Sequence, residues 1–152
     1  MKATLLLCDY AVVAEGKLFV SGGGWSIIGP NVKGYIALLI AVPWDRANRR
    51  VHFELALLNE DGDAVTGPDL VGNEVPVTLS AQLEVGRPAG LLRGVSLDVP
   101  LAIEMPPMVL AAGKRFEWIL TIDGESKEDW RLPFMVRPLP AGPQEAGPPP
   151  RH

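Results

Sequence analysis

The stretch RFEWILTIDGESKEDWRLPFMVR, Arg115 to Arg137, decides the fold. Phe116, Trp118, Leu120 and Ile122 alternate with Arg115, Glu117, Ile119, Thr121 and Asp123. After the turn Asp123-Gly124-Glu125-Ser126-Lys127 the rhythm resumes, with Trp130, Leu132, Phe134 and Val136 set against Asp129, Arg131, Pro133, Met135 and Arg137. Side chains of a strand point alternately to its two faces, so a period of two with large apolar groups on one side predicts a half-buried β-hairpin. A hairpin alone cannot hide that much apolar surface, and a second apolar layer must cover it.

Working outward, three segments repeat the alternation. Val51, Phe53, Leu55 and Leu57 share one face; so do Val75, Val77, Leu79, Ala81, Leu83 and Val85, read as one strand; so do Val95, Leu97, Val99, Leu101, Ile103 and Met105. Pro76 and Pro100 place their strands at a sheet edge or a bulge, because proline cannot donate to a ladder. Asn59-Glu60-Asp61-Gly62-Asp63 and Gly86-Arg87-Pro88-Ala89-Gly90 are turns. Met108 to Ala112 is expected to make one helical turn at most.

The N-terminal part is less regular. Ala3 to Tyr10 is a first strand, Ala14-Glu15-Gly16-Lys17 a turn, and Leu18-Phe19-Val20 the returning strand. Gly22-Gly23-Gly24 interrupts before Trp25-Ser26-Ile27-Ile28, which reads as one long bent strand or as a crossing between sheets. Tyr35 to Val42 is apolar at every position, too short for a globular helix and without alternation, so both its faces must be covered. Either it lies in the centre of a sheet beneath a loop, or it forms part of a contact with another subunit.

Strands separated by Gly- and Pro-rich turns throughout predict an all-β protein, a two-sheet antiparallel β-sandwich of about seven to nine strands, immunoglobulin-like in general build. Residues 1–137 make that domain. Residues 138–152, dominated by Pro, Gly and Ala, lack the apolar bulk to offset their ordering entropy and form a disordered tail.

Composition narrows the function classes. With 14 Lys and Arg against 18 Asp and Glu, the chain carries a formal charge of −4. Its cations are scattered along the sequence, which argues against nucleic-acid and membrane partners. The single Cys8 cannot form an internal disulfide. Leu5-Leu6-Leu7-Cys8 imitates a lipoprotein signal, but the apolar run is short and Asp9 follows at once, so a buried strand and a cytoplasmic location are expected.

No catalytic, metal or cofactor site emerges. Gly24-Trp25-Ser26-Ile27-Ile28 lacks the closing glycine of a nucleophile elbow, and the candidate bases, His52 and His152, sit on a strand and at the last position. Asn59, Asp61 and Asp63 follow the spacing of a turn rather than of a calcium loop, although sandwich loops can gather carboxylates such as Asp61, Asp63 and Asp123. Glu54, Glu104 and Glu117, the carboxylates a glycosidase-type hydrolase would need, fall on outward faces. Trp25 and Trp44 lie beside Gly and Pro in loops and are the candidate contacts for a ligand or partner.

Leu6-Leu7-Cys8-Asp9-Tyr10-Ala11, Gly16-Lys17-Leu18, Gly22-Gly23, Pro43-Trp44, Leu57-Leu58 before Asp61-Gly62, and Pro133-Phe134-Met135-Val136 together resemble an uncharacterised bacterial family of small single-domain proteins, frequent in actinobacteria. That resemblance implies a stand-alone intracellular domain and brings no functional residue. The expected function is therefore a non-catalytic binding module, forming a homo-oligomer or engaging a protein partner. A carbohydrate-type small-ligand module is the alternative, followed by a hydrolase with dispersed carboxylates.

Overall fold

A computed structural model describes residues 1–140 of the 152. Thirteen strands occur among them: β1 (Lys2–Ala14), β2 (Lys17–Gly23), β3 (Ile27–Ile28), β4 (Asn31–Val32), β5 (Tyr35–Val42), β6 (Arg50–Asn59), β7 (Thr66–Pro68), β8 (Glu74–Pro76), β9 (Thr78–Glu84), β10 (Leu97–Glu104), β11 (Met108–Val109), β12 (Arg115–Ile122) and β13 (Arg131–Val136). A single 3₁₀ turn, Trp44–Arg46, is their only helical element. The expected tail falls largely on residues 141–152, outside the described residues.

Nine strands form two principal sheets, ordered β10-β5-β1-β2 and β3-β13-β12-β6-β9, and the rest form two-stranded ribbons, β4 with β11 and β7 with β8. Every pairing is antiparallel except that of β3 with β13. The fold is all-β, as the alternation requires. Leu7, Ile36, Leu38, Ile40 and Val42 from one sheet meet Val51, Phe53, Leu55, Leu57, Phe116, Trp118, Leu120, Ile122, Phe134 and Val136 from the other in one continuous dry cluster. Burying such side chains between two sheets is the main favourable term in folding.

The hairpin of β12 and β13 pairs Phe116 with Phe134 and Trp118 with Leu132. The tight turn is Asp123-Gly124, both at positive φ, which matches the twist of the flanking strands. Residues 125–130 then make an excursion that returns Trp130 to the core, where its carbonyl accepts from Leu120 N–H at 2.9 Å.

Pro100 lies in β10, an edge strand, as its missing N–H demands. The segment around Val75–Val85 is two strands rather than one. Val77 hands over from the β7–β8 ribbon to β9 by accepting from Leu57 N–H and donating to Val65 O, with Pro76 at the break. Met108–Ala112 contains no helical turn: Met108 and Val109 pair with Val32 and Asn31 in a short ribbon instead.

The glycine run does mark a passage between sheets. The chain leaves β2 at Gly23 in the four-stranded sheet and enters β3 at Ile27 in the five-stranded one. Gly34 ends the approach to β5, at φ +151, where a Cβ would lie 2.7 Å from the Cys8 carbonyl oxygen.

β1 runs past Tyr10 to Ala14, making a longer ribbon with β2 than the alternation alone indicates. Although β2 and β10 stand at opposite edges of their sheet, they approach one another, so the sheet curls. Gly22, at φ +61 opposite Asp9, sits in this ribbon. Ala11 and Leu18 rest on Cys8, Ala37, Tyr35 and Ala102 in a second, smaller apolar cluster. This answers the question posed by Tyr35–Val42: β5 is central in its sheet, and the β1–β2 ribbon covers part of its outer face.

Candidate functional site

The structure scatters the residues that would carry catalysis. Ser26 lies where β3 joins β13, its carbonyl accepting from Met135 N–H at 2.9 Å. His52 lies near the start of β6, at the opposite end of the five-stranded sheet, and its backbone N–H donates to Asp123 Oδ1 at 2.9 Å. Cys8 is fully buried, and burial pushes its thiol above the usual range, which makes it a poor nucleophile.

Carboxylates are likewise apart. Asn59 Oδ1 accepts from the backbone N–H groups of Asp61 and Asp63 at 3.0 and 2.9 Å, which is the architecture of a capped turn. Asp123 sits at the other end of β6, roughly 20 Å away at the rise of a strand. Among the described residues no three His, Cys, Asp or Glu side chains converge on one point. Glu54 and Glu117 are separated by four strand positions, roughly 13 Å, Glu117 pairs with Arg131 at 3.4 Å, and Glu104 is on the other sheet.

A cavity of about 450 Å³ lies between the turn after β6 and the segment before β12, and Glu60 and Lys114 both line it. Lys114 Nζ donates to Glu60 at 3.3 Å and Arg115 N–H donates at 3.4 Å, holding the Glu60 carboxyl below its usual range. A carboxyl held in that direction is a weaker base, the opposite of what a general acid or base needs near neutrality.

Of the two tryptophans singled out in the sequence, Trp25 is half-buried and stands edge-on to Phe134 at 6.1 Å, with its indole nitrogen sealed from solvent. It packs against the core instead of offering a free face. Trp44 lies at the end where β5, β6, β9 and β10 are joined. The Arg87 guanidinium covers its ring at 3.7 Å, and that of Arg93 lies 5.2 Å away. The loop after β9 thus brings Arg87 and Arg93 onto a tryptophan of the loop after β5. Among the described residues neither of the two makes an ion pair.

The other exposed feature is the β1–β2 ribbon. Tyr10, Val12 and Phe19 occupy one of its faces, Val13 and Val20 the other, and all five are exposed, Phe19 at 54%. β2 is also an edge strand, with no strand beyond it. Sequence alternation missed this surface because the ribbon is apolar on both sides. The signal was present as the run Tyr10-Ala11-Val12-Val13 facing Leu18-Phe19-Val20 across a two-residue turn.

Residues 3–137 match the model of a family of unknown function, DUF6941. The chain belongs to this family. The match spans nearly all of the described residues and leaves the last fifteen out, so DUF6941 corresponds to the two-sheet domain described above. No curated protein and no solved structure matches the chain. No helix among the described residues is long and apolar enough to cross a membrane.

Proposed function

We propose that this DUF6941 protein is a non-catalytic interaction module that associates with a second copy of itself through the β1–β2 ribbon. The observation that carries this reading is a ribbon whose two faces both expose large apolar side chains while its outer strand has no hydrogen-bonded neighbour beyond it. An exposed edge strand displays unpaired N–H and C=O groups and is a template for another strand. The remaining long edges carry the devices that block such pairing. β10 has Pro100 between the acidic Asp98 and Glu104, and β9 is preceded by Pro76 and ends in Glu84. β2 has Lys17 at its tip and the positive-φ Gly22 near its far end, which leaves Leu18–Ser21 without such a device.

Antiparallel pairing of β2 with β2 of a second copy is isologous, and it joins the two four-stranded sheets into one. It shields Phe19 and Val20, which otherwise stay in water at a cost of about 25 cal/mol per Å² of apolar surface. Separation of Ser26 from His52, and of the carboxylates from one another, supports the non-catalytic part of the proposal.

Sedimentation velocity over a concentration series tests it. The expected result is a concentration-dependent dimer that Phe19→Asp and Val20→Asp, both at exposed positions, convert to a monomer with unchanged circular dichroism. A wild-type chain that stays monomeric at its highest soluble concentration, or dimers that survive both substitutions, would overturn it.

A further inference from the structure

We propose that the Trp44 cluster, at the end of the sandwich away from the β1–β2 turn, is a binding site for a small phosphate-bearing anion. Its central feature is a pair of guanidiniums brought together on one indole. Arg87 and Arg93 sit 3.7 and 5.2 Å from the centroid of the Trp44 ring. Two like charges that share a ring repel one another, and among the described residues neither has a carboxylate within ion-pair distance to offset this. An anion within reach of both offsets the repulsion.

The arrangement is held in place before any ligand arrives. Asn48, at φ +61, accepts the Arg87 N–H at 3.2 Å on its side-chain oxygen and donates its own N–H to Val85 O, tying the two loops together. Arg87 Nε donates to the Trp44 carbonyl at 3.0 Å, and the indole stacks against the same guanidinium. With Nε engaged and the plane fixed, the two terminal amino groups of Arg87 remain for an outside acceptor. A guanidinium restrained in this way loses little further freedom on binding and presents the bidentate fork that phosphate oxygens match.

Beside the ring is a cavity of about 280 Å³ lined by Pro43, Trp44, Asp45, Arg93, Gly94 and Ser96, with Arg87 outside that lining and reaching the site across the Trp44 ring. That size is at the low end of small-ligand sites, roughly 300–1,000 Å³. Ser96 adds a hydroxyl donor.

Compactness selects the ligand. Asp45 borders the cavity, Glu84 and Asp98 end the neighbouring strands, and the whole chain is net negative. A phosphodiester chain extended in either direction meets Glu84 and Asp98 as well as Asp45, whereas a short phosphate-bearing molecule meets Asp45 alone. The Trp44 ring is also occupied by Arg87, which leaves no clean platform for base or sugar stacking.

Titration of the full chain with inorganic tripolyphosphate, followed by calorimetry and by tryptophan fluorescence, tests the site. The expected result is saturable binding of one anion per chain, weakened roughly ten-fold or more in Arg87→Gln and in Arg93→Gln and unchanged in the distant Arg131→Gln. Trp44→Phe is expected to lose the fluorescence response while calorimetric binding persists. Absence of saturable binding, or equal affinity in the Arg87 and Arg93 variants with circular dichroism intact, overturns the proposal. So does a single-stranded oligonucleotide that binds more tightly than tripolyphosphate with a steep salt dependence, since that marks an extended nucleic-acid surface. Because Phe19→Asp leaves this end untouched, the titration in that variant separates anion binding from self-association.

Discussion

At the scale of single residues, the core is apolar enough to leave polar atoms stranded. The indole nitrogens of Trp118 and Trp130 are buried without a partner, and a buried donor left unpaired costs about 1–3 kcal/mol. Trp118→Phe removes that donor while keeping an aromatic ring, so it is expected to cost under about 1.5 kcal/mol, whereas Trp118→Ala is expected to cost about 3–5 kcal/mol; urea unfolding of the two variants measures the contrast. Cys8 carries the pH prediction. Burial first, and then the Asp9 charge, hold its thiol above the usual range. The group's contribution to stability is thus whole below the unfolded thiol's pKa, about 8.5, and is lost as pH rises through the higher folded value. Cys8→Ala is expected to flatten the alkaline limb of stability against pH and leave the neutral region alone. Native protein is expected to resist a thiol reagent at pH 8 until denaturant is added.

At the scale of elements, the turns hold the register. Glu15-Gly16 and Asp123-Gly124 both pair a positive-φ non-glycine residue with a positive-φ glycine, the conformation that two-residue hairpins favour. Gly124→Ala places a Cβ in the left-handed region at φ +81; it is expected to cost about 1–2 kcal/mol, a fall of roughly 2–8 °C in melting temperature for a domain of this size. Strands facing solvent on one side were legible, because β6, β10, β12 and β13 write the layer they bury as a two-residue rhythm. Three others were not. β1 continues past Tyr10 because Ala11 meets the small cluster on Cys8 and Ala37, a contact set by the curl of the sheet. The Val75–Val85 alternation hides a change of partner at Val77, since either partner accepts the same rhythm. Met108–Val109 pairs with a two-residue strand near the front of the chain, and so short a ladder leaves no periodicity to read.

At the scale of the molecule, the candidate chemical groups stand apart in the sequence and in the fold. The sequence separated its nucleophiles, bases and carboxylates, and the structure keeps Ser26, His52, Glu54, Glu104 and Glu117 from converging. What the sequence could not display was the meeting of Arg87 and Arg93 over Trp44, because the two loops are some forty residues apart in the chain and are tied by one asparagine. Self-association has a thermodynamic signature beyond sedimentation. A dimer that binds only folded chains raises the apparent melting temperature with protein concentration. That rise is expected in the wild type and absent in Phe19→Asp, as differential scanning fluorimetry at several concentrations would show.

The parallel pairing of β3 with β13 links residues 27–28 to residues 135–136. A polypeptide emerging from the ribosome therefore holds its front third without its last partner until nearly the whole domain has been made. Through that interval Tyr10, Val12, Phe19 and Val20 are already outside the exit tunnel, while the five-stranded sheet that packs against their own is incomplete. Chaperone capture during translation, or tangling between neighbouring nascent chains, would begin at this ribbon, the same element through which the finished protein is proposed to find its twin.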